Sequence, residues 1–107
     1  MLAKQNRAIT KEVDRLFKEG RVLSSPALSF KYIKTNSAEI KISFIAPKAV
    51  VKSAVKRNFL RRRGYNALEK NIKLSPAGLL GVFIFKKYQD DLLILENEIK
   101  SIFNKTN

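Results

Sequence analysis

Residues 47–65 read PKAVVKSAVKRNFLRRRGY. A proline closes the preceding segment, and a helix-compatible run follows with Lys48, Lys52, Lys56, Arg57, Arg61, Arg62 and Arg63 and no acidic residue. Its place in the chain decides the fold, because two alternating segments precede it and a doubly apolar one follows. Between Glu39 and Glu69, eight Lys or Arg residues meet no carboxylate at all. The formal net charge of +13 therefore falls as +4 on residues 1–39, +8 on 40–68 and +1 on 69–107. Self-repulsion of that size works against a compact domain unless a polyanion relieves it, so the charge reads as a binding feature.

Upstream, residues 27–34 alternate Leu28, Phe30 and Tyr32 with Ser29, Lys31 and Ile33, the period of a strand. After the turn TNSAE, residues 39–46 alternate again, Ile40, Ile42 and Phe44 against Lys41, Ser43 and Ile45. A short polar link between two strands predicts an antiparallel hairpin. Earlier still, Thr10 is placed to cap a short helix with Val13, Leu16 and Phe17 on one face, ended by Gly20, and residues 1–8 are expected to be flexible. Downstream, the basic segment is expected to be helical from about Val51 to Glu69, and 71–78 to be a loop broken by Pro76 and Gly78. Leu79 to Lys87 is apolar on both alternating faces, which predicts a strand buried on both sides. Asp90 and Asp91 then open a last helix with Leu92, Leu95, Ile99, Ile102 and Phe103 along one face. The expectation is one α+β domain spanning residues 1–107, an α/β sandwich in the order α-β-β-α-β-α, with room left for an extra short strand.

The 107 residues suffice for one modest core, and a hydrophobic fraction of 45% marks a folded chain. There is no cysteine and no histidine, so disulfides, thiolate nucleophiles and the commonest general base and zinc ligands are absent. Glu12, Asp14, Glu19, Glu69, Asp90, Asp91, Glu96 and Glu98 read as exposed helix faces or caps, and no pair of them sits in a metal-holding motif. A self-sufficient enzyme does not follow from this inventory. Leu79 to Phe85, the longest apolar run, is far too short to span a bilayer, and residues 1–12 lack the apolar stretch of a signal peptide. A soluble cytoplasmic protein is expected, with nucleic acid as its partner and no membrane.

On an ideal helix, residues four apart share a face, which aligns Arg57, Arg61 and Tyr65 with Asn58 and Arg62 beside them. Leu60, Ala67 and Leu68, with Gly64 between, form the face that docks on the sheet. Guanidinium forks grip phosphate oxygens in pairs, an Asn reads a base edge or sugar hydroxyl, and a Tyr stacks on an unpaired base. That mixture favours RNA. Charged helical runs are more often plain solvated faces, but this one is arginine-rich and has no acid at i±4.

With this order of elements, Ala54-Val55-Lys56-Arg57-Asn58-Phe59-Leu60-Arg61-Arg62 resembles the helix Ala-Val-x-Arg-Asn-x-x-Lys-Arg of the protein subunit of bacterial ribonuclease P. The likeness extends over most of the chain. Phe17-Lys18-Glu19-Gly20 is similar to the end of that family's first helix, and Gly81 to Lys87 to its buried last strand, which commonly ends in a basic residue, here Lys86. Three positions depart from the pattern. A Lys-Lys pair before the helix is reduced to Lys48 and Ala49, the last arginine falls on Tyr65 with Arg63 nearby, and Val13 stands where the first helix usually has an aromatic.

The resemblance implies a mixed sheet with a left-handed crossover between parallel strands, against the usual hand. It further implies a chain inactive alone that binds a catalytic RNA, which removes the 5′ leader of precursor tRNA with magnesium ions, no metal site being expected on the protein. Carried over by position, Lys48, Lys52, Lys56, Arg57, Asn58, Arg61, Arg62 and Tyr65 are expected at the catalytic RNA. Val13, Phe17, Phe30, Lys31 and Tyr32 are expected at a cleft for the leader, although each apolar member taken alone is more often core than ligand. Alternation does not say which face of strand 27–34 lines that cleft. Ribonuclease P RNA and precursor tRNA are thus the expected partners, with no protein partner required. The rivals are a ribosomal or other structural RNA-binding protein without a role in cleavage, a helix-turn-helix DNA binder, which lacks its short preceding helix here, and a stand-alone nuclease.

Overall fold

The computed structural model describes residues 10–36 and 38–106, with only the backbone of residues 10–13. The expectation for residues 1–8, and those for the side chains of Thr10 and Val13, lie outside the described residues. The elements run α1 (Thr10–Glu19), β1 (Arg21–Ser24), β2 (Leu28–Lys34), β3 (Lys41–Ile45), α2 (Ala54–Asn71), β4 (Leu79–Phe85) and α3 (Leu92–Lys105), with a 3₁₀ turn at Ile72–Leu74. The short strand β1 is the one the sequence left open.

The sheet order is β1-β2-β4-β3, with β4 antiparallel to β2 and parallel to β3. The expected hairpin between residues 27–34 and 39–46 does not form, because β4 lies between β2 and β3. The reason is in the composition of β4. A strand apolar on both sides, with Leu79, Val82 and Phe83 fully buried, is best satisfied at the centre, where both edges are paired and both faces covered. Thr35, just past β2, is tied to the start of that strand. Its N–H and hydroxyl both donate to the Gly78 carbonyl, at 2.8 and 3.0 Å. Gly78 turns there with φ 77°, a conformation side chains disfavour. The hairpin that does form joins β1 to β2, with Leu23 opposite Phe30.

Register sorts the sheet into two faces. On one, Phe30, Phe83 and Phe44 lie side by side across β2, β4 and β3, with ring centroids 4.2 and 5.0 Å apart. Phe103 of α3 meets Phe30 edge-on. Leu60, Ala67 and Leu68 of α2 and Leu95, Ile99 and Ile102 of α3 cover this face, all fully buried. Each of these leucine and isoleucine side chains contributes roughly 1.5–3 kcal/mol by leaving water. On the other face, Leu16 of α1 packs on Leu80 and Val82, with Ile33, Ile45 and Ile84 only partly covered. Three layers result, one helix on one side of the sheet and two on the other.

α2 begins three residues later than expected. Ser53 caps it, accepting from the Lys56 N–H at 3.3 Å, and residues 48–50 form a turn in which Val50 and Val51 donate to the Pro47 carbonyl. At its far end the helix continues through Asn71, which is buried and donates to the Glu96 carbonyl at 3.0 Å. Glu98 also departs from the sequence reading. It is buried rather than exposed, and its carboxylate accepts from the Ala27 N–H at 2.9 Å and from the Ser25 hydroxyl. Asp91 caps α3 as expected, accepting from the Ile94 N–H.

Candidate RNA interface

The basic helix is positioned by its bare spot. A Cβ on Gly64 would come within 2.5 Å of the Phe44 ring, so glycine lets α2 lie directly on β3. That contact leaves the opposite side of the helix in solvent, where Lys56, Asn58 and Arg62 are exposed. Lys48 and Lys52, on the approach to the helix, are exposed too.

Arg57 is half-buried, and its guanidinium donates to the carbonyls of Val51 at 3.3 Å and Lys52 at 2.6 Å. It therefore clasps the segment entering the helix while carrying charge at its tip. Arg61 donates to the Asn58 side-chain oxygen, which orients both groups side by side. Arg57, Asn58 and Arg61 thus come together along one flank of α2, and Arg62 stands on its exposed crest. Lys56 precedes Arg57 by one residue and lies about 100° round the axis on the other flank. Within this stretch of helix no carboxylate intervenes.

Tyr65 does not join them. It is buried, packs edge-on against Phe44 with centroids 5.0 Å apart, and its hydroxyl accepts from the Phe44 N–H at 3.3 Å. Spacing puts it on the arginine face, but at this level of the helix that flank rolls onto β3. A base-stacking role for Tyr65 is therefore corrected to a core role.

The cleft residues divide likewise. Phe30 and Tyr32 belong to the face under α2 and α3, at 0% and 7% exposure, and so leave the expected cleft set. Lys31, between them, points to the α1 side, where its ammonium lies 4.6 Å from the Phe17 ring centroid. Phe17 is 46% exposed, and the exposed Val22 sits opposite Lys31 in the β1–β2 register. Phe17, Val22 and Lys31 thus form an apolar and cationic surface beside α1. Val22 escaped the sequence reading because its strand is only four residues long, too short to show a period. Arg63, named in the basic run but not among the expected contacts, lies over the Phe59 ring, 5.0 Å from its centroid. Tyr88, in the link before α3, is 44% exposed and did not figure in the sequence reading.

The family model for ribonuclease P matches residues 2–107. The chain belongs to the ribonuclease P protein family. The fold is that of the RNase P protein from Thermotoga maritima, with a TM-score of 0.82 and 18% identity over 92% of this chain and 96% of that one. The RNase P protein of Staphylococcus aureus superposes with a TM-score of 0.79 at 12% identity, covering 98% and 97% of the two chains. No curated protein sequence matches. A family match over nearly the whole length makes this chain a ribonuclease P protein subunit, with ribonuclease P RNA as its partner and tRNA processing as its setting. A structural RNA-binding protein without a part in cleavage is not favoured.

Among the described residues, no group of acidic side chains is placed to hold a metal ion. No helix among them is long and apolar enough to cross a membrane.

Proposed function

We propose that this subunit acts in the cytoplasm by holding a catalytic RNA and the 5′ leader of precursor tRNA at once, while the RNA performs the cleavage with magnesium ions. The observation that carries this reading is the division of binding chemistry between the two sides of the sheet. Lys48, Lys52, Asn58, Arg61 and Arg62, with Arg57 fixed at the helix entrance, offer paired donors for phosphates and base edges on the catalytic RNA. Across the sheet, Phe17, Val22 and Lys31 present an apolar floor with a cation, suited to an unpaired strand. The subunit contributes position and charge neutralisation, which lower the magnesium needed by an RNA that must otherwise fold and bind substrate against its own phosphates.

The test is cleavage of a precursor tRNA by a bacterial ribonuclease P RNA at low magnesium, with and without the chain. Rescue by the wild type and no cleavage by the protein alone are expected. A Lys52→Ala, Arg62→Ala double variant should rescue less, and Phe17→Ala should raise KM for substrates with a leader while leaving binding to the catalytic RNA intact. Tight RNA binding with no effect on cleavage would restore the structural RNA-binding alternative.

A further inference from the structure

Lys56, Phe59 and Arg63 follow one another at three and four residues along α2 and so form one stripe. Lys70, two turns further on in the same stripe, meets Glu96 of α3 at 3.0 Å, so this flank is the one toward α3. Arg61 stands only two residues before Arg63, yet about 200° away round a helix about 10–12 Å across with its side chains. It belongs to the opposite flank, where it donates to Asn58.

On the α3 flank the Arg63 guanidinium lies over the Phe59 ring, 5.0 Å from its centroid. An arginine resting on an aromatic ring is held in place and keeps its N–H donors for a planar, two-oxygen partner. The chain supplies no such partner at Nε, which is buried and has no hydrogen-bond acceptor among the described residues. Open solvent does not reach a buried donor, and leaving one unmade is costly. A side chain that merely shielded Phe59 from water would account for the stack but not for the orphaned donor. The rest of the stripe sets the charge of what is missing. Lys56 is exposed and cationic, Asn66 is exposed and neutral, and the first acid along α2 is Glu69. The acceptor wanted at Arg63 is therefore an anion brought by a partner, and the partner of this family is an RNA rich in phosphates.

We propose that Arg63, seated on Phe59, takes a phosphate of the catalytic RNA on the α3 flank of α2, separate from the phosphates met by Arg57 and Arg61. The inference rests on the RNA-binding reading above and deepens it. The RNA backbone grips the helix on both flanks, and Arg62 on the crest lies between the two contacts. Arg63 falls outside the arginine–asparagine pattern that carries the family resemblance, so this contact belongs to this chain's own sequence. The phosphate is assigned to the catalytic RNA because α2 lies across the sheet from the leader surface at Phe17 and Lys31.

Arg63→Met keeps an unbranched apolar stem over Phe59 and removes both the charge and the orphaned Nε. The free variant should unfold at a urea midpoint equal to or above that of wild type. With every variant folded, its affinity for a bacterial ribonuclease P RNA transcript, without precursor tRNA, should fall roughly 10-fold. The slope of log affinity against log salt should become shallower by about one. Arg63→Lys restores the charge without the fork, so it should recover the slope but only part of the affinity. Arg61→Ala combined with Arg63→Met should show the product of the two single losses, as separate phosphates require. A lowered midpoint with wild-type affinity would make Arg63 a cover for Phe59 and overturn the proposal. A combined loss no larger than the greater single loss would put both arginines at one phosphate and overturn it too. If Arg62→Ala weakens binding while Arg63→Met matches wild type, this contact is overturned and the basic face stands. Failure of the wild type to bind the RNA overturns both. A loss that appears only with precursor tRNA present overturns the assignment to the catalytic RNA.

Discussion

Gly64 and Tyr65 are neighbours in α2, and each reverses what a helix alone would ask for. A glycine inside a helix costs about 1 kcal/mol against alanine, so Gly64→Ala would stabilise an isolated helix. In the protein the added methyl meets the Phe44 ring at 2.5 Å, and that ring is stacked on Phe83 and cannot yield freely. A net loss of about 1–3 kcal/mol is expected, read as a lower urea midpoint; a higher midpoint would show that Phe44 is not pinned. Tyr65→Phe removes the hydroxyl bonded to the Phe44 N–H and leaves a buried donor unpaired, at about 1 kcal/mol or somewhat more. Its RNA affinity should equal that of wild type. A drop in RNA affinity at full stability would return Tyr65 to the interface.

Between elements, the most consequential contact is Glu98 of α3 with the β1–β2 turn. Its carboxylate takes the Ala27 N–H and the Ser25 hydroxyl, while the Lys86 ammonium donates to the Ser25 carbonyl at 3.1 Å. One helix and the end of β4 thereby fix the hairpin that carries Val22 and Lys31 to the surface beside α1. Glu98→Ala strips two donors of a charged acceptor and is expected to cost about 2–3 kcal/mol. Amide exchange at Ala27 should rise more than exchange in α2. Uniform acceleration across the protein would mean that the turn is held by something else. Glu98→Gln, which keeps an acceptor, should recover part of the loss.

At the scale of the molecule, a charge of +13 on 107 residues gives salt two opposite effects. Screening relieves self-repulsion, so the free chain should gain thermal stability as salt rises through about 0.5 M. Binding to RNA should weaken over the same range. Five or six phosphate contacts from the cations around α2 correspond to a slope of roughly −4 to −5 in log affinity against log salt. A nearly flat binding response would mean that these cations are not at phosphates, whatever their place on the surface.

Much of this was legible in the chain before any coordinates. The twofold alternation around Phe30 and Phe44, the doubly apolar β4 and the acid-free helix after Pro47 depend on local period and charge, and these survive into the fold unchanged. So did the arginine–asparagine motif, whose residues are close in sequence and therefore close on one helix. Three decisions needed the tertiary structure. β4 enters between β2 and β3 because pairing is settled by which strand most needs two neighbours, a comparison no single segment contains. Lys31 reaches the surface beside α1 while Phe30 and Tyr32 do not, because alternation defines two faces but leaves the choice of which helix covers each to packing. Tyr65 turns inward for the same reason: helical spacing gives an angle around an axis, and only the sheet beneath the helix determines which angles face water.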